Sequence, residues 1–268
     1  MALSIVGETF ANKWFPGRKL PETFVDLTGR TVVVTGSNAG LGFESVKAFY
    51  RMGPARLILA VRSLDKGEEA KKKIEANTNT TGGSRPQVDV WHLDMADFAN
   101  VKRFAQRCYD ELDRIDIFLA SAGVQNREWI VTKDGWEVAL QTNVISTYLL
   151  TLLVTDKLAQ TAKLPAPKPG VVLKPHLVVV ASDVHFMASL NDQKEPNIFQ
   201  GLNEERRFNG EARYFDTKLM EVLITRFLTK HPKFSFESTG VVMCTVNPGF
   251  CRSELGRFAK GPMVVAQA

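Results

Sequence analysis

Residues 31–42 read TVVVTGSNAGLG. The β-branched run Thr31–Thr35 is a strand signal. Gly36, Gly40 and Gly42 follow at once, and a helical pattern opens near Leu41. Glycines at a strand-to-helix turn let the backbone come close to an anion. The helix N-terminus then presents free N–H groups and a partial positive charge. Ser37, Asn38 and Leu41 lie in the same turn, so Gly36, Ser37, Asn38, Gly40, Leu41 and Gly42 form the candidate phosphate cradle. The spacing is G-x-x-x-G-x-G rather than the G-x-G-x-x-G of the common dinucleotide fingerprint. Alone, such a turn also suits a structural βα connection. Its place after the first apolar strand points to a nucleotide.

The rhythm continues outward from this turn. Further apolar, β-branched runs occur at Arg56–Val61, Val88–Leu93, Ile115–Ala120, His176–Ala181 and Gly240–Val246. They are continuous rather than alternating, as strands covered on both faces of a parallel sheet are. Helical patterns fall between them near 41–52, 64–77, 97–112, 134–161 and 213–230. This alternation predicts an α/β fold, a single Rossmann-like doubly wound parallel sheet with six readable strands. Residues 1–30 read as an N-terminal extension and 31–268 as the nucleotide-binding domain. Two loops break the rhythm: the proline-rich 163–175, and an insertion over 183–213. Long loops inside compact domains are often lids or binding loops, and a tolerated surface insertion is the plainer reading.

Composition narrows the function classes. Lysine plus arginine total 34 and aspartate plus glutamate 29, a surplus of +5 over 268 residues. That surplus is scattered, unlike the clustered basic face of a nucleic-acid binder. Three cysteines, Cys108, Cys244 and Cys251, with no CxxC or Cys/His cluster, exclude a disulfide framework and give no metal site. Free thiols suit a reducing compartment. The start MALSIVGETF has no basic n-region or long apolar core, and the apolar run Val144–Val154 is too short to span a bilayer. A cytoplasmic protein without a transmembrane segment is expected.

Arg62 stands at the end of the second strand, with no acid at Ala60 or Val61. A carboxylate there accepts from ribose hydroxyls, whereas an arginine suits a 2′-phosphate, so NADP(H) is favoured over NAD. Tyr214 and Lys218 are four apart in a helical stretch and share a face. An ammonium beside a phenol favours the phenolate and lowers a pKa that is otherwise about 10. Such a phenol can protonate a carbonyl oxygen or take the proton of an alcohol. Ser182, at the end of the fifth strand, lies on the edge where open α/β sheets bind ligands and can hold the substrate oxygen. Asn143, placed mid-helix, is a candidate to orient a water beside the lysine.

Together these residues resemble the short-chain dehydrogenase/reductase family over roughly residues 30–255. The matching set is TGSNAGLG at 35–42, Asp94, ASAG at 120–123, Asn143, Ser182, YFDTK at 214–218 and NPGFCRS at 247–253. The resemblance implies a tetrad of Asn143, Ser182, Tyr214 and Lys218, with Tyr214 as acid/base. It implies that Lys218 binds the nicotinamide ribose and lowers the tyrosine pKa. It also implies adenine contact by Asp94, and nicotinamide contact by Pro248, Gly249 and Ser253. Arg62 and SDVHF at 182–186 are similar to the retinol-dehydrogenase-like branch, and the chain looks most like fungal reductases of secondary-metabolite pathways. Three departures stand out. Ala120-Ser121-Ala122-Gly123 replaces Asn-Asn-Ala-Gly, leaving backbone, Ser121 and Gly123 for cofactor contact. The gap from Ser182 to Tyr214 is long. Only 15 residues follow Ser253, which puts a seventh strand in doubt.

The expected activity is an NADP(H)-dependent interconversion of carbonyl and alcohol on a small hydrophobic molecule. Phe186, Phe199, Phe208 and Phe215 hint at its apolar pocket. A homodimer or tetramer is expected from the resemblance. A non-catalytic NADP-binding sensor or scaffold on the same fold is the alternative, as is a poorly active truncated chain; retention of both Tyr214 and Lys218 argues for the enzyme.

Overall fold

The computed structural model describes residues 25–80, 85–168, 170 and 172–249. Six parallel strands form one sheet: β1 (Thr31–Thr35), β2 (Arg56–Val61), β3 (Gln87–His92), β4 (Ile117–Ala120), β5 (His176–Val180) and β6 (Val242–Val246). Their order is β3-β2-β1-β4-β5-β6. The chain winds outward from β1 in both directions, so the order reverses between β1 and β4. That crevice is the switch point of doubly wound sheets, where ligands bind. The expected α/β Rossmann-like sheet is therefore present with its six strands.

Why the central strands read as unbroken apolar runs is clear from the side chains. Successive strand residues point to opposite faces. Val33 packs into a core with Ile58, Phe118 and Trp91, while Val32 and Val34 pack into a second core with Leu57 and Leu59. Helices α1 (Gly40–Arg51) and α2 (Leu64–Asn77) cover the second core through Val46, Tyr50, Ala70 and Ile74. Helices α3 (Phe98–Glu111) and α4 (Thr147–Ala162) cover the first through Phe104, Cys108, Leu150 and Leu158. The edge strand β3 is different. Gln87 and His92 are exposed, and Asp89 pairs with Arg56 at 2.7 Å.

Several boundaries depart from expectation for local reasons. β6 starts at Val242 rather than Gly240. The short helix 236–239 ends there, and Gly240 caps it with φ +67°. The helix expected over 134–161 begins only at 138. Glu137 stops it from starting earlier: its two carboxylate oxygens accept from Ala139 N–H (2.9 Å) and Leu140 N–H (2.8 Å), capping the new helix. Its first stretch, Leu140–Ser146, is a π-helix that leads directly into α4. Asn143 thus sits in a widened turn, not in the middle of a regular helix. The insertion is not a structureless loop either. It holds 3₁₀ turns at Asp183–Met187, Asn191–Lys194 and Glu205–Arg207 and the short helix α5 (Ile198–Leu202). The long helix α6 (Ala212–Lys230) follows. No helix among the described residues is long and apolar enough to cross a membrane. The region after residue 249, which includes Cys251 and Ser253 and where a seventh strand is in doubt, lies outside the described residues, as does most of the N-terminal extension.

One ionic junction fixes the amino ends of the central strands. Asp116, 1% exposed, accepts from Arg30 Nη1 at 3.1 Å and from Arg114 Nη2 at 2.7 Å and Nε at 2.8 Å. It also accepts from the first N–H of β1, Thr31, at 2.9 Å. Arg30 is itself 2% exposed. Removing one partner of a buried pair leaves the other charge without compensation. Asp116→Ala is therefore expected to lose about 3–5 kcal/mol of stability. Urea unfolding should show this as a lower midpoint with an unchanged slope.

Candidate active site

The carboxyl ends of the strands gather nearly all the residues singled out in the sequence. Gly36 follows β1, Arg62 follows β2 and Ser121 follows β4; Asp94, Ser182 and Gly249 lie two or three residues beyond β3, β5 and β6. Because every strand is parallel, these positions share one edge of the sheet.

At the centre of that edge β1 and β4 are stitched together. The buried Thr35 hydroxyl accepts from both Ser121 N–H and Ala122 N–H at 3.0 Å. Gly36, at φ +67°, then turns so close to β4 that a Cβ on it would stand 2.8 Å from Ala122 Cα. Gly42 is equally constrained: a Cβ there would stand 2.4 Å from the Gly36 carbonyl oxygen. The turn is folded tightly enough to accept only glycine at both points. Ala39 leads into α1 without any side-chain cap, so the first N–H groups of that helix stay open toward the crevice. Inside the cradle the Ser37 hydroxyl is fully buried and has no hydrogen-bond partner among the described residues. A buried, unpartnered hydroxyl beside open helix N–H groups fits an oxygen-rich anion. Arg62 is exposed at the next strand end. Asp94 is half-buried, and one of its oxygens accepts from Ala96 N–H at 2.9 Å.

Asn143 is fully buried and occupied. Its Oδ1 accepts from Val124 N–H at 2.8 Å, and its Nδ2 donates to the Val124 carbonyl (2.9 Å) and the Thr217 hydroxyl (3.1 Å). Both amide hydrogens are spent on protein, so the side chain pins the segment after β4 to α6. Its side-chain amide is therefore committed to protein partners. It nevertheless lies close to the lysine: a Cβ on Gly123 would stand 3.4 Å from Asn143 Oδ1 and 3.9 Å from Lys218 Nζ.

Tyr214 and Lys218 share the inner face of α6, with Lys218 Nζ 5.6 Å from the tyrosine ring centroid. Both are buried, at 8% and 5% exposure. The ammonium donates to the Val180 carbonyl at the end of β5 (2.8 Å) and to both carboxylate oxygens of Glu221 (2.9 Å each). Glu221 is 2% exposed, and burial pushes its carboxyl up to about 7 against the pull of Lys218. Ser182 caps the 3₁₀ turn that follows it, accepting from Val184 N–H at 3.4 Å, and that turn packs against α6. Asn247, just after β6, joins the loops after β5 and β6. Its Oδ1 accepts from the Asp183 and Gly249 N–H groups, and its Nδ2 bonds the Asp183 carboxylate. Pro248 and Gly249 are thereby held beside the Ser182 turn.

The insertion is braced from outside the site. Arg213 donates to the Leu202 carbonyl at 2.7 Å and faces Glu137 at 3.6 Å; Asn203 accepts from Glu137 N–H at 2.7 Å. Asp216 accepts from Leu190 N–H at 2.9 Å, holding Leu190 in a left-handed conformation (φ 43°). A cavity of about 240 Å³ lies among Asp192, Arg207, Arg213 and Asp216, but none of the four catalytic candidates lines it. Three of the four phenylalanines find different neighbours. Phe199 packs against the main core, Phe208 against Trp129, and Phe186 is 55% exposed beside His185. Burial raises the thiol of Cys108 to about 12, and no metal cluster occurs among the described residues. Thr35, Glu137, Thr217, Glu221 and Asn247 were not singled out by the sequence reading. Thr35, Thr217 and Asn247 lie in motifs already quoted; Glu137 and Glu221 lie outside them.

Comparisons with known proteins show what the chain is similar to. The family model for short chain dehydrogenase matches residues 30–164. The chain is 37% identical over 245 residues to the short chain dehydrogenase/reductase dmxR8 of Cryptosporiopsis sp., covering 90% of this chain and 72% of that one. It is 32% identical to human retinol dehydrogenase 13, covering 86% of this chain and 62% of that one. In fold it is similar to an alcohol dehydrogenase from the archaeon Thermococcus sibiricus, solved with 5-hydroxy-NADP (TM-score 0.59, 19% identity, 87% and 82% of the two chains). With the switch-point cradle, the Tyr214–Lys218 face and this similarity in hand, the chain belongs to the short chain dehydrogenase/reductase family of oxidoreductases.

Proposed function

We propose that the protein is an NADP(H)-dependent oxidoreductase that interconverts a carbonyl and an alcohol on a small hydrophobic substrate. The observation that carries this reading is the buried Tyr214–Lys218 pair placed beside Gly123 at the switch-point edge. Residues 31–268 act as one cofactor-binding unit after an N-terminal extension, with 183–213 as the substrate loop. A secondary-metabolite setting and a cytoplasmic compartment belong to the same reading; the free thiol of Cys108 suits the latter.

The cradle fits the phosphates of the cofactor, since the Ser37 hydroxyl is buried without a partner and Gly36 and Gly42 leave room that a Cβ would fill. Gly36, Ser37, Asn38, Gly40, Leu41 and Gly42 hold the phosphates. Arg62 meets the 2′-phosphate, Asp94 the adenine, and Ser121, Gly123, Pro248, Gly249 and Ser253 the nicotinamide side. When bound, the cofactor supplies or accepts the hydride at the substrate carbon.

The protein's own residues manage the proton. Tyr214 donates its phenolic proton to the carbonyl oxygen during reduction and recovers it from solvent afterwards; oxidation runs the reverse. Lys218 sits over the tyrosine ring and stabilises the phenolate that remains. Ser182 holds the substrate oxygen by its hydroxyl. Asn143 keeps the segment after β4 fastened to α6, so that Gly123 and Lys218 stay adjacent. Phe186 and Met187, 55% and 60% exposed in the turn that follows Ser182, offer the substrate an apolar wall. A dimer or tetramer fits the exposed Leu152 and Leu153 on α4 and Leu223 and Phe227 on α6.

Tyr214→Phe removes the proton but keeps the ring. Ketone-dependent NADPH oxidation should fall about 10²- to 10⁴-fold while NADPH binding, read by fluorescence, is retained; undiminished turnover would sink the proposed chemistry. Arg62→Asp should weaken NADPH binding about ten- to hundred-fold and leave NADH nearly unchanged. Equal losses for both cofactors would remove Arg62 from the 2′-phosphate site. Phe227→Glu places a charge on the exposed α6 face. Sedimentation should then show a smaller species than the wild type, and an unchanged distribution rejects that face as the contact.

A further inference from the structure

Lys218 is more heavily engaged than its proposed role requires. A lysine that serves only to lower the phenol pKa and meet a ribose needs a free ammonium. Here its donors go to the Val180 carbonyl and to both oxygens of Glu221, one helical turn further along α6. Glu221 is nearly sealed, at 2% exposure. Across from it, α4 presents Tyr148. That hydroxyl donates to the Glu221 backbone carbonyl and lies 2.7 Å from the Thr225 hydroxyl. Burial pushes the Tyr148 phenol well above its ordinary range, so it stays neutral. Asn143 and Thr217, the other polar groups at this junction, carry no charge. Lys218 is therefore the charge that bears directly on the Glu221 carboxyl.

We propose that Glu221 is a positioning residue for the reaction: its carboxylate holds the Lys218 ammonium at the end of β5 and offsets its charge, so that Tyr214 meets a partly cancelled cation. The inference rests on the oxidoreductase reading above for its role, but not for its measurement. Cation and carboxylate act on the phenol with opposite signs. The lysine lowers the tyrosine pKa; a carboxylate fixed on the lysine raises it part of the way back. A phenol held at a higher pKa keeps its proton at neutral pH and serves better as the acid of a carbonyl reduction. Burial raises the Glu221 carboxyl to about 7, so the group is ionised in the alkaline range where a phenol titrates. The carboxylate also gives the ammonium a fixed counter-charge before any other ligand arrives. Without one, a buried lysine must shed its proton or remain unpaired.

The test is the titration of Tyr214 itself. Phenolate absorbance is followed against pH for the wild type and for Glu221→Gln, and in each case the same chain carrying Tyr214→Phe is subtracted to isolate the one phenol. Glu221→Gln is expected to lower the Tyr214 midpoint by about one pH unit, as one unit charge a few ångströms beyond the lysine would. Glu221→Asp keeps the charge and should stay near the wild-type midpoint, even if its melting temperature falls. Glu221→Met also removes the charge without leaving a buried polar group. It should shift the midpoint as Glu221→Gln does, and it serves if the glutamine chain fails to fold. A midpoint that stays put in both neutral variants, or moves upward, overturns the proposal. No substrate is needed, so a chain that reduces no carbonyl fails the functional reading while this titration still gives its answer. In an active enzyme the alkaline limb of the pH–rate profile should move with the phenol.

Discussion

Everything at this site depends on how closely the carboxyl ends of β1 and β4 approach each other. The Thr35 hydroxyl takes two N–H groups from the chain leaving β4, and Gly36 passes the Ala122 backbone where no side chain fits. That contact closes the floor of the crevice. It turns the chain into α1 with its N–H groups open, and it sets where Gly123, and through it Lys218 and Asn143, can lie. The approach is possible because β1 is buried along its whole length and packed on both faces. At the opposite end of the strands the Asp116 junction takes the first N–H of β1 and the guanidiniums of Arg30 and Arg114. Apolar packing holds the middle, and buried polar contacts hold both ends.

The loops are positioned by side chains reaching between elements distant in sequence. Glu137 caps the helix after β4, receives Asn203 from the insertion and faces Arg213 at the start of α6. Asn247 ties the turn after Ser182 to the loop after β6. Each such residue serves two or three elements at once. The insertion is therefore braced in depth, although its chain is mostly short helical turns.

The parts legible in sequence were those with local causes. β-Branched runs between glycines and helical patterns placed all six strands, and α2 fell on residues 64–77 as read. Tyr214 and Lys218 were legible because four residues on a helix share a face. The π-helical stretch at Leu140–Ser146 was not, because its apolar pattern is the same as that of a regular helix; the difference lies in backbone bonding set by packing. The delayed start of that helix turned on Glu137 folding its carboxylate back onto the Ala139 and Leu140 N–H groups, while contacts to Asn203 and Arg213, more than sixty residues away, hold Glu137 in place. Phe199 and Phe208 had been grouped as pocket residues, yet each found a different neighbour, which aromatic composition does not encode. Glu221 looked like any acid beside a lysine on a helix, and such pairs are usually solvated and worth little.

What distinguishes α6 is that its buried face is largely polar. Arg213, Tyr214, Asp216, Thr217, Lys218 and Glu221 all lie inward, where an ordinary amphipathic helix would place leucines. Desolvation is the largest influence on all three, pushing the carboxyls of Asp216 and Glu221 up and the guanidinium of Arg213 down, so each charge is held at a cost. The helix stays in place because each has a partner: Glu137 and the Leu202 carbonyl for Arg213, Leu190 N–H for Asp216, and the Val180 carbonyl with Glu221 for Lys218. A fold selected for stability alone would replace these pairs with apolar side chains. On the proposed function, their placement on one helix, at the edge where the sheet opens, keeps a proton donor, a cation and a counter-charge in fixed order. The apolar cores on the two faces of the sheet supply the stability that makes such a helix tolerable.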